Sequence, residues 1–261
     1  MLENPAMRVI TVNVNGIRSA ASKGIFTWLE SQNADVICLQ EIRAQEEQLA
    51  DKIFRPHGFH SYFSHAHKKG YSGVAIYSKK EPQNIVRGLG WDIADTEGRY
   101  IEAQFDDVHI ASIYMPSGTS GEERQKIKFA FLEQYHKILK EQIANKQQYI
   151  LCGDWNIAHK NIDLKNWRSN QSNSGFLPEE RAWLDTLFDE VGFVDAYRCA
   201  HPDKVQYTWW SNRGQSWANN TGWRIDYQII TPGLADKILY ADVYREQKFS
   251  DHAPLIIDYG I

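Results

Sequence analysis

The chain has 261 residues, of which 43% are hydrophobic and 24% charged, and its formal net charge is −4 at pH 7. This composition is typical of a globular protein with a large core, and the lack of any apolar run near roughly 18 residues excludes a transmembrane helix. With a negative net charge, attraction to a nucleic acid would have to come from a local basic face or a bound metal.

The N-terminal residues and the cysteines give further expectations. The start lacks the basic and apolar segments of a secretory signal. Met7 directly precedes the first predicted strand, so residues 1–6 are expected to be a flexible extension and residues 7–261 a single domain. Two of the three cysteines, Cys38 and Cys152, lie in apolar runs, which favours free thiols. We therefore expect a protein of the reducing cytoplasm with no membrane partner, and a monomer is the default expectation.

Polar residues end the first two predicted strands. In the strand over residues 7–15, Asn13 and Asn15 share one face, which indicates either a turn before Gly16 or a polar site. A helix is predicted over residues 20–32. The next apolar strand runs to Glu41, whose alternative interpretation is an acid at a helix N-terminus. A further helix is expected at residues 46–54.

The middle of the chain is predicted to be rich in strands. Residues 58–64 and 73–78 form a hairpin or meander, joined by a basic loop that contains Lys68 and Lys69. That loop is either a solvated connection or a positive surface that contacts phosphates. Strands follow over residues 99–105 and 108–114, the second of which ends in Tyr114, and a helix spans residues 121–144.

The stretch over residues 149–156 organises the prediction. Residues 150–152 are apolar and indicate a strand buried on both faces, after which Gly153 allows a tight turn. Asp154 and Asn156 then point to the same side at the carboxyl end of this strand, where open α/β sheets place ligands. The alternative is a simple turn, because Asp and Asn often terminate strands.

The C-terminal part adds a fourth acid and a histidine. A helix is predicted over residues 178–190, and strands over residues 207–211 and 222–230. Asp226 lies inside the second of these strands, and because a buried carboxylate is costly unless paired, it is expected to contact a partner such as a histidine. Asp251 and His252 precede the last apolar strand.

The element pattern predicts an α/β fold. Strands outnumber helices and several follow one another directly, which favours two mixed β-sheets packed face to face with helices outside. The polar residues at the strand ends offer oxygen ligands and a single histidine. That set indicates a hard cation such as Mg²⁺ or Mn²⁺ rather than zinc.

Six ordered motifs resemble the exonuclease III type of apurinic/apyrimidinic (AP) endonuclease, in the endonuclease/exonuclease/phosphatase superfamily. The resemblance covers nearly the whole chain from Met7 and implies a four-layer α/β sandwich. The motifs occupy residues 13–18, 39–41, 114–116, 153–158, 222–227 and 250–255.

The resemblance also implies roles for the residues at the strand ends. Asp154 would activate or orient the attacking water, and Asn156 would contact the scissile phosphate. His252, oriented by Asp226, would bind that phosphate, and Tyr114 would contact the phosphate or the leaving group. The implied ligands of Mg²⁺, with Mn²⁺ as the alternative, are Glu41, Asn13, Asn15, Asp251, Asp154 and Asn156.

Substrate contacts follow from the same resemblance. Trp209, Trp223 and Ile225 match the family's apolar pocket for an extruded, base-free sugar, with core packing as the alternative. Ser117 departs from the Asn or Gln that family members often carry, which leaves one DNA contact open. The remaining candidate substrate contacts are cations, which as surface charges could also have no role: Arg224, Lys165, Arg168, Lys68, Lys69 and Arg213.

The implied function is a Mg²⁺-dependent DNA repair nuclease. It would cut duplex DNA 5′ to abasic sites and remove 3′ nucleotides or 3′ blocking groups. The chain is also similar to the bacterial catabolite repression control protein, a regulator on the same scaffold that would act through RNA or protein binding, with or without retained nuclease activity. A pure regulator has no reason to keep the complete acid, amide and histidine set, so the enzyme is the favoured hypothesis.

Overall fold

Two six-stranded mixed sheets form the centre of the molecule in the computed structural model, which describes residues 6–261. Residues 1–5 of the predicted N-terminal extension therefore lie outside the described residues. The first sheet contains, in spatial order, β13 (Ile238–Val243), β14 (Leu255–Tyr259), β1 (Met7–Asn13), β2 (Val36–Gln40), β4 (Val74–Ser78) and β3 (His60–Ser64).

The second sheet also has six strands in a mixed arrangement. Its strands are β5 (Asn84–Arg87), β6 (Tyr100–Phe105), β7 (Val108–Tyr114), β8 (Gln148–Asp154), β12 (Asp226–Ile230) and β9 (Val194–Asp195). Each sheet contains one parallel pair, β1 with β2 and β7 with β8, while the other pairs are antiparallel. A separate two-stranded ribbon consists of β10 (Trp209–Trp210) and β11 (Gly222–Trp223).

Helices cover the outer faces of the sheets. One apolar cluster lies between the sheets and joins residues such as Val36 and Ile150, and two further clusters lie beneath the helices on either side. This arrangement confirms the predicted four-layer α/β sandwich. The helices are α1 (Ile17–Ser22), α2 (Ile25–Ser31), α3 (Asp92–Thr96), α4 (Glu122–Ala144), α5 (Pro178–Asp185) and α6 (Ala196–Ala200).

Several predicted elements are shorter or interrupted. The helix expected over residues 20–32 is divided by Gly24, which adopts a left-handed φ of 87°. The helix expected at residues 46–54 is instead two 3₁₀ turns, Glu46–Leu49 and Lys52–Phe54, because Asp51 caps the second turn and prevents continuation. The helix over residues 178–190 ends as a π-helical turn, Thr186–Val191.

Some strand predictions were also wrong. The strand expected over residues 207–211 is only two residues long, and the one over residues 222–230 is broken at Arg224 and Ile225. Strands β5, β9 and β13 were not predicted. Pattern reasoning missed β5 because its residues are mostly exposed and it lies at a sheet edge, so it lacks a buried face.

The parallel pairs bring the polar strand ends to one mouth of the sandwich. Asn13 pairs with Gln40 in one sheet, and Tyr114 pairs with Asp154 in the other, so the carboxyl ends of both pairs face the same edge. At the end of β8, a Cβ on Gly153 would come within 1.9 Å of the Ile113 carbonyl oxygen. Glycine is therefore required for this close approach.

Two smaller expectations concern the thiols and the membrane. The cysteines are free, with Cys38 and Cys152 buried and Cys199 exposed, as predicted. Among residues 6–261, no helix combines the length and the apolar character needed to cross a bilayer.

Candidate active site

A cavity of about 620 Å³ opens at the shared mouth of the two sheets. The structure brings most of the predicted site residues to this one cavity, although they come from segments spread along the whole chain. Those that line it are Asn15, Glu41, Tyr114, Ser117, Asp154, Asn156, Trp209, Trp223, Ile225, Asp251 and His252.

Asp154 lies at the centre of the site, at the end of β8, with 2% of its surface exposed. Its Oδ2 accepts a hydrogen bond from Asn13 Nδ2 at 2.9 Å, and its Oδ1 accepts one from the Asn156 N–H at 2.9 Å. Burial, followed by the charge of Asp226, raises the pKa of Asp154 to about 7. A carboxylate with a pKa near neutral is suited to accept a proton during catalysis.

His252 and Asp226 form a buried pair beside Asp154. His252 Nδ1 lies 2.8 Å from Asp226 Oδ2, and its Nε2 lies 3.8 Å from Asp154 Oδ2. Burial alone would lower the pKa of His252, but the charge and hydrogen bond of Asp226 outweigh it and raise that pKa to about 10. The ring is therefore an imidazolium at neutral pH, with both nitrogens acting as donors.

Asp251 faces the cavity from the segment before β14. Its Oδ1 accepts from Asn15 Nδ2 at 3.0 Å, and its Oδ2 accepts from Trp209 Nε1 at 3.0 Å. Burial opposes ionisation, but the charge of His252 and these two hydrogen bonds hold the pKa of Asp251 below its ordinary value. Asp251 therefore contributes a fixed negative charge to the cavity.

Glu41 contributes a second negative charge from the end of β2. It adopts a left-handed φ of 55° and pairs through Oε1 with the guanidinium of Arg43, which also lines the cavity. The Arg43 side chain is 45% exposed, so this cation covers Glu41 from the solvent side. Glu41 and Asp251 face the same cavity rather than opposite rims.

The donor chemistry of this cavity fits a hard divalent cation. Carboxylate oxygens from Glu41, Asp251 and Asp154 lie with amide groups of Asn15 and Asn156 around one space. Asp154, Asp226 and His252 also lie close enough together to resemble a metal cluster. Because His252 is charged by its pairing with Asp226, it has no free lone pair with which to bind a cation.

Tyr114 lies at the end of β7 with its ring against a buried arginine. The guanidinium of Arg99 lies 4.8 Å from the centre of that ring and donates to the Tyr114 carbonyl at 2.9 Å. Burial, followed by the charge of Glu41, raises the pKa of the Tyr114 phenol well above its ordinary value. Tyr114 therefore remains a hydrogen-bond donor at every pH of interest.

An apolar surface forms one wall of the cavity. The rings of Trp209 and Trp223 meet edge to face with centres 6.1 Å apart, and Ile225 lies beneath them. Both tryptophans are half-buried and line the cavity, so they combine core contacts with an accessible face. A compact apolar ligand would fit against this wall.

Several predicted site residues do not face the cavity. Asn13 is buried and contacts Asp154, and Asp226 lies behind His252, so both act through these neighbours. The prediction that Arg224 contacts substrate was wrong: it is 1% exposed and its guanidinium binds Asp163 and Asp195. The other predicted cations, Lys165, Arg168, Lys68, Lys69 and Arg213, are exposed outside the cavity lining.

Sequence reasoning missed residues behind the cavity wall. Lys128 and Glu180 are buried as an ion pair, and Gly175 lies on the wall beside them. A signal was present for Lys128, which shares a helical face with Phe131, Leu132 and Tyr135 and so occupies a position expected to be apolar.

Comparisons with known proteins agree with this geometry. A family model described as the Endonuclease/Exonuclease/phosphatase family matches residues 10–252. The chain is 39% identical to an exodeoxyribonuclease of Bacillus subtilis, over 95% of this chain and 98% of the relative. It is 35% identical to the DNA repair nuclease APEX1 of Danio rerio, over 96% and 81%. An AP endonuclease structure from Archaeoglobus fulgidus superposes with a TM-score of 0.90 and 28% identity, covering 98% of this chain and all of that one.

Proposed function

Because the chain belongs to the endonuclease/exonuclease/phosphatase family, we propose that it is a metal-dependent DNA repair nuclease that hydrolyses phosphodiester bonds in duplex DNA. The observation that carries this proposal is that four ionisable groups meet in one cavity: a carboxylate with a pKa of about 7, an imidazolium and two further acids. The substrates we propose are abasic sites, cut on their 5′ side, and 3′ ends, from which nucleotides or blocking groups are removed.

The proposed chemistry assigns proton and charge handling to different residues. Asp154 accepts a proton from the attacking water as the water oxygen bonds to phosphorus. The bond from phosphorus to the 3′ oxygen breaks, and that oxygen leaves as an alkoxide that takes a proton from solvent water to become the 3′ hydroxyl. The His252 imidazolium and the Tyr114 phenol donate hydrogen bonds to phosphoryl oxygens, and the Asn156 side chain contacts the scissile phosphate. Such fixed donors stabilise charge that develops in the transition state.

The cation we propose is Mg²⁺, with Mn²⁺ as the alternative. Its ligands would come from Glu41 and Asp251, supported by Asn15, Asn156 and Asp154, while Asn13 fixes Asp154. When bound, it neutralises charge on the phosphoryl oxygens. Arg43 covers Glu41 and would have to move aside for the cation to bind, which its exposed position allows.

Abasic-site selection is proposed to depend on the apolar wall. Trp209, Trp223 and Ile225 offer a compact apolar surface beside the catalytic groups. A nucleotide without a base costs less to extrude from the duplex than a paired one, and its sugar needs no base-sized space. Lys165 and Arg168 are exposed and are proposed contacts for the DNA backbone. Both lie near the apolar wall, since the Lys165 N–H donates to the Gly222 carbonyl and Arg168 lies over Trp167, which packs against the wall.

The regulatory alternative is not favoured. The relatives reported above are nucleases, and the residues on which the distinction depends line one cavity: Glu41, Asp154, Asn156, Asp251 and His252. RNA binding has no comparable support in the site.

The test is incision of a duplex that contains one abasic-site analogue, measured with Mg²⁺ and with chelator. We expect chelator-sensitive cleavage on the 5′ side of the analogue, and a loss of about a hundredfold or more in rate for Asp154→Ala and for His252→Ala. Asp106→Ala and His57→Ala, the same changes at exposed positions outside the cavity, serve as matched controls and should retain full activity. Full activity in either site variant would contradict the assigned roles.

A second set of substrates addresses the 3′ activities. Duplexes with a recessed 3′ hydroxyl or a 3′ phosphate should be processed with the same chelator sensitivity and the same loss in the Asp154→Ala variant. Processing that persists in that variant would separate the 3′ activities from this cavity.

A further inference from the structure

A buried ion pair lies directly behind the catalytic wall, in a place where an apolar contact is expected. Lys128 on α4 is 1% exposed and Glu180 on α5 is fully buried, and Lys128 Nζ lies 3.1 Å from Glu180 Oε1. Burying two charges is expensive, and well-packed apolar residues are often as stable in such positions. Stability alone therefore does not explain why this ion pair is buried here.

Both charged groups reach the backbone of the cavity wall. Lys128 Nζ donates to the Asn156 carbonyl oxygen at 2.7 Å, and Glu180 Oε2 accepts from the Gly175 N–H at 2.6 Å. Gly175 in turn accepts from the Ala158 N–H at 2.8 Å. The ion pair thus connects two separate wall segments, one after β8 and one before α5.

Asn156 needs such a restraint. It adopts a left-handed φ of 51°, which residues with a side chain seldom adopt, although asparagine does so more readily than most. Its N–H donates to Asp154, its side chain donates to the Met115 carbonyl, and its own carbonyl oxygen is held by Lys128. Loss of the Lys128 contact would release one of these three restraints on the loop that carries Asp154 and Asn156.

The segment at Gly175 depends on Glu180 in the same way. Its Oε1 also accepts from Gln125 Nε2 at 2.9 Å, so the carboxylate links α4, α5 and the segment at Gly175. Gly175 has a φ of 95°, and a Cβ there would lie 3.1 Å from the Trp223 ring. The Gly175 backbone therefore sets the distance between the Asn156 segment and the apolar wall that contains Trp223.

We propose that Lys128 and Glu180 are positioning residues, which hold the Asn156 and Gly175 backbones at the separation that hydrolysis requires. The inference rests on the proposed nuclease function. Neither residue touches the substrate, and their effect reaches the reaction through Asn156, Asp154 and the cavity wall. A displacement of the order of 1 Å in such groups can cost roughly a hundredfold in rate.

The test compares catalysis with stability in single and double variants. Lys128→Met leaves the buried Glu180 without its charged partner, so both the unfolding midpoint in urea and kcat on the abasic-analogue duplex should fall. Lys128→Met combined with Glu180→Gln removes both charges and keeps an acceptor for the Gly175 N–H. We expect it to recover most of the midpoint while kcat stays roughly tenfold or more below wild type, with KM changed by less than about threefold.

The control and the contradicting outcomes are well defined. Lys126→Met, the same change at an exposed position of the same helix, should alter neither quantity. If kcat recovers together with stability in the double variant, the pair is merely structural and the inference is overturned. Glu180→Gln alone, with the same expected loss of kcat, provides a second test should Lys128→Met fail to fold. Inactive wild-type protein would overturn the proposed function and this inference together, whereas an active wild type with an unimpaired double variant would overturn the inference alone.

Discussion

The charge of His252 depends on Asp226, and Asp226→Asn tests that dependence. The two side chains are almost fully buried, with 4% and 1% of their surfaces exposed, and their contact is 2.8 Å long. Asparagine has nearly the same shape as aspartate but carries no charge. The variant should therefore leave the packing in place while it removes the largest influence that raises the pKa of His252.

The structure sets the size of the effect. A pKa of about 10, compared with 6.5 for an ordinary histidine, corresponds to about 5 kcal/mol in favour of the imidazolium. Burial opposes this preference, and Asp154 and Asp251 add to that of Asp226, so about 5 kcal/mol is the net preference rather than the share of Asp226 alone. At about pH 7.5 an ordinary histidine is only roughly one-tenth charged, whereas His252 in the wild type is fully charged.

The Asp226→Asn change should also alter the pH dependence of the free energy of unfolding, in a direction that the raised pKa of His252 defines. Because the pKa of His252 is raised in the folded protein, its contribution to the free energy of unfolding is fully present below about pH 6.5. That contribution is lost progressively as the pH rises through the folded value of about 10. Asp226→Asn should therefore be most destabilising near pH 6, and the difference from wild type should decrease toward pH 10.

The assay is an NMR titration of the His252 ring in metal-free protein, followed by a pH profile of kcat. In the wild type the ring should not titrate between about pH 6 and 9, whereas in Asp226→Asn it should lose its proton within this range. The kcat of the variant should then fall with rising pH through neutrality. Asp258→Asn, the same change at an acid paired with Arg8, is the matched control and should leave His252 unchanged. A His252 that remains charged at pH 9 in Asp226→Asn would refute this reasoning.

Two further predictions concern the scaffold. Asp163→Asn should lower the free energy of unfolding by about 3 kcal/mol at pH 7, because Arg224 and Arg198 lose a buried partner. Burial opposes ionisation of Asp163, but Arg224 outweighs it and lowers the pKa of that carboxyl. The difference in the free energy of unfolding between variant and wild type should therefore be complete above about pH 4 and disappear in acid. Urea unfolding at several pH values measures it. A difference as small as that for the exposed Asp106→Asn, at most about 1 kcal/mol, would contradict the role of this network. Gly153→Ala should yield little folded protein, because its Cβ would overlap the Ile113 carbonyl, and a normal thermal unfolding midpoint in the variant would show that the two strands can separate.

The sequence by itself determined the fold class and most of the cavity lining. Buried strands such as β2 and β8 contain continuous apolar runs, and α4 places Phe131, Leu132 and Tyr135 on one face, so local patterns predicted these elements. The polar residues that follow the strands stood out because Asp and Asn are poor strand formers. Their meeting at one mouth was predicted from their joint occurrence and from the family resemblance, and the parallel pairing of β1 with β2 and of β7 with β8 explains it for the polar residues that follow those strands.

Only the tertiary structure decided which charged residues face the cavity and which lie behind its wall. Arg224 lies in a site motif, yet its guanidinium is directed into the protein by Asp163 and Asp195, which are 61 and 29 residues away in sequence. Lys128 and Glu180 are likewise separated by 52 positions and meet only because α4 and α5 pack side by side behind the cavity. Sequence patterns report which face of one element is buried, whereas the partner of a buried charge is chosen by packing between distant elements.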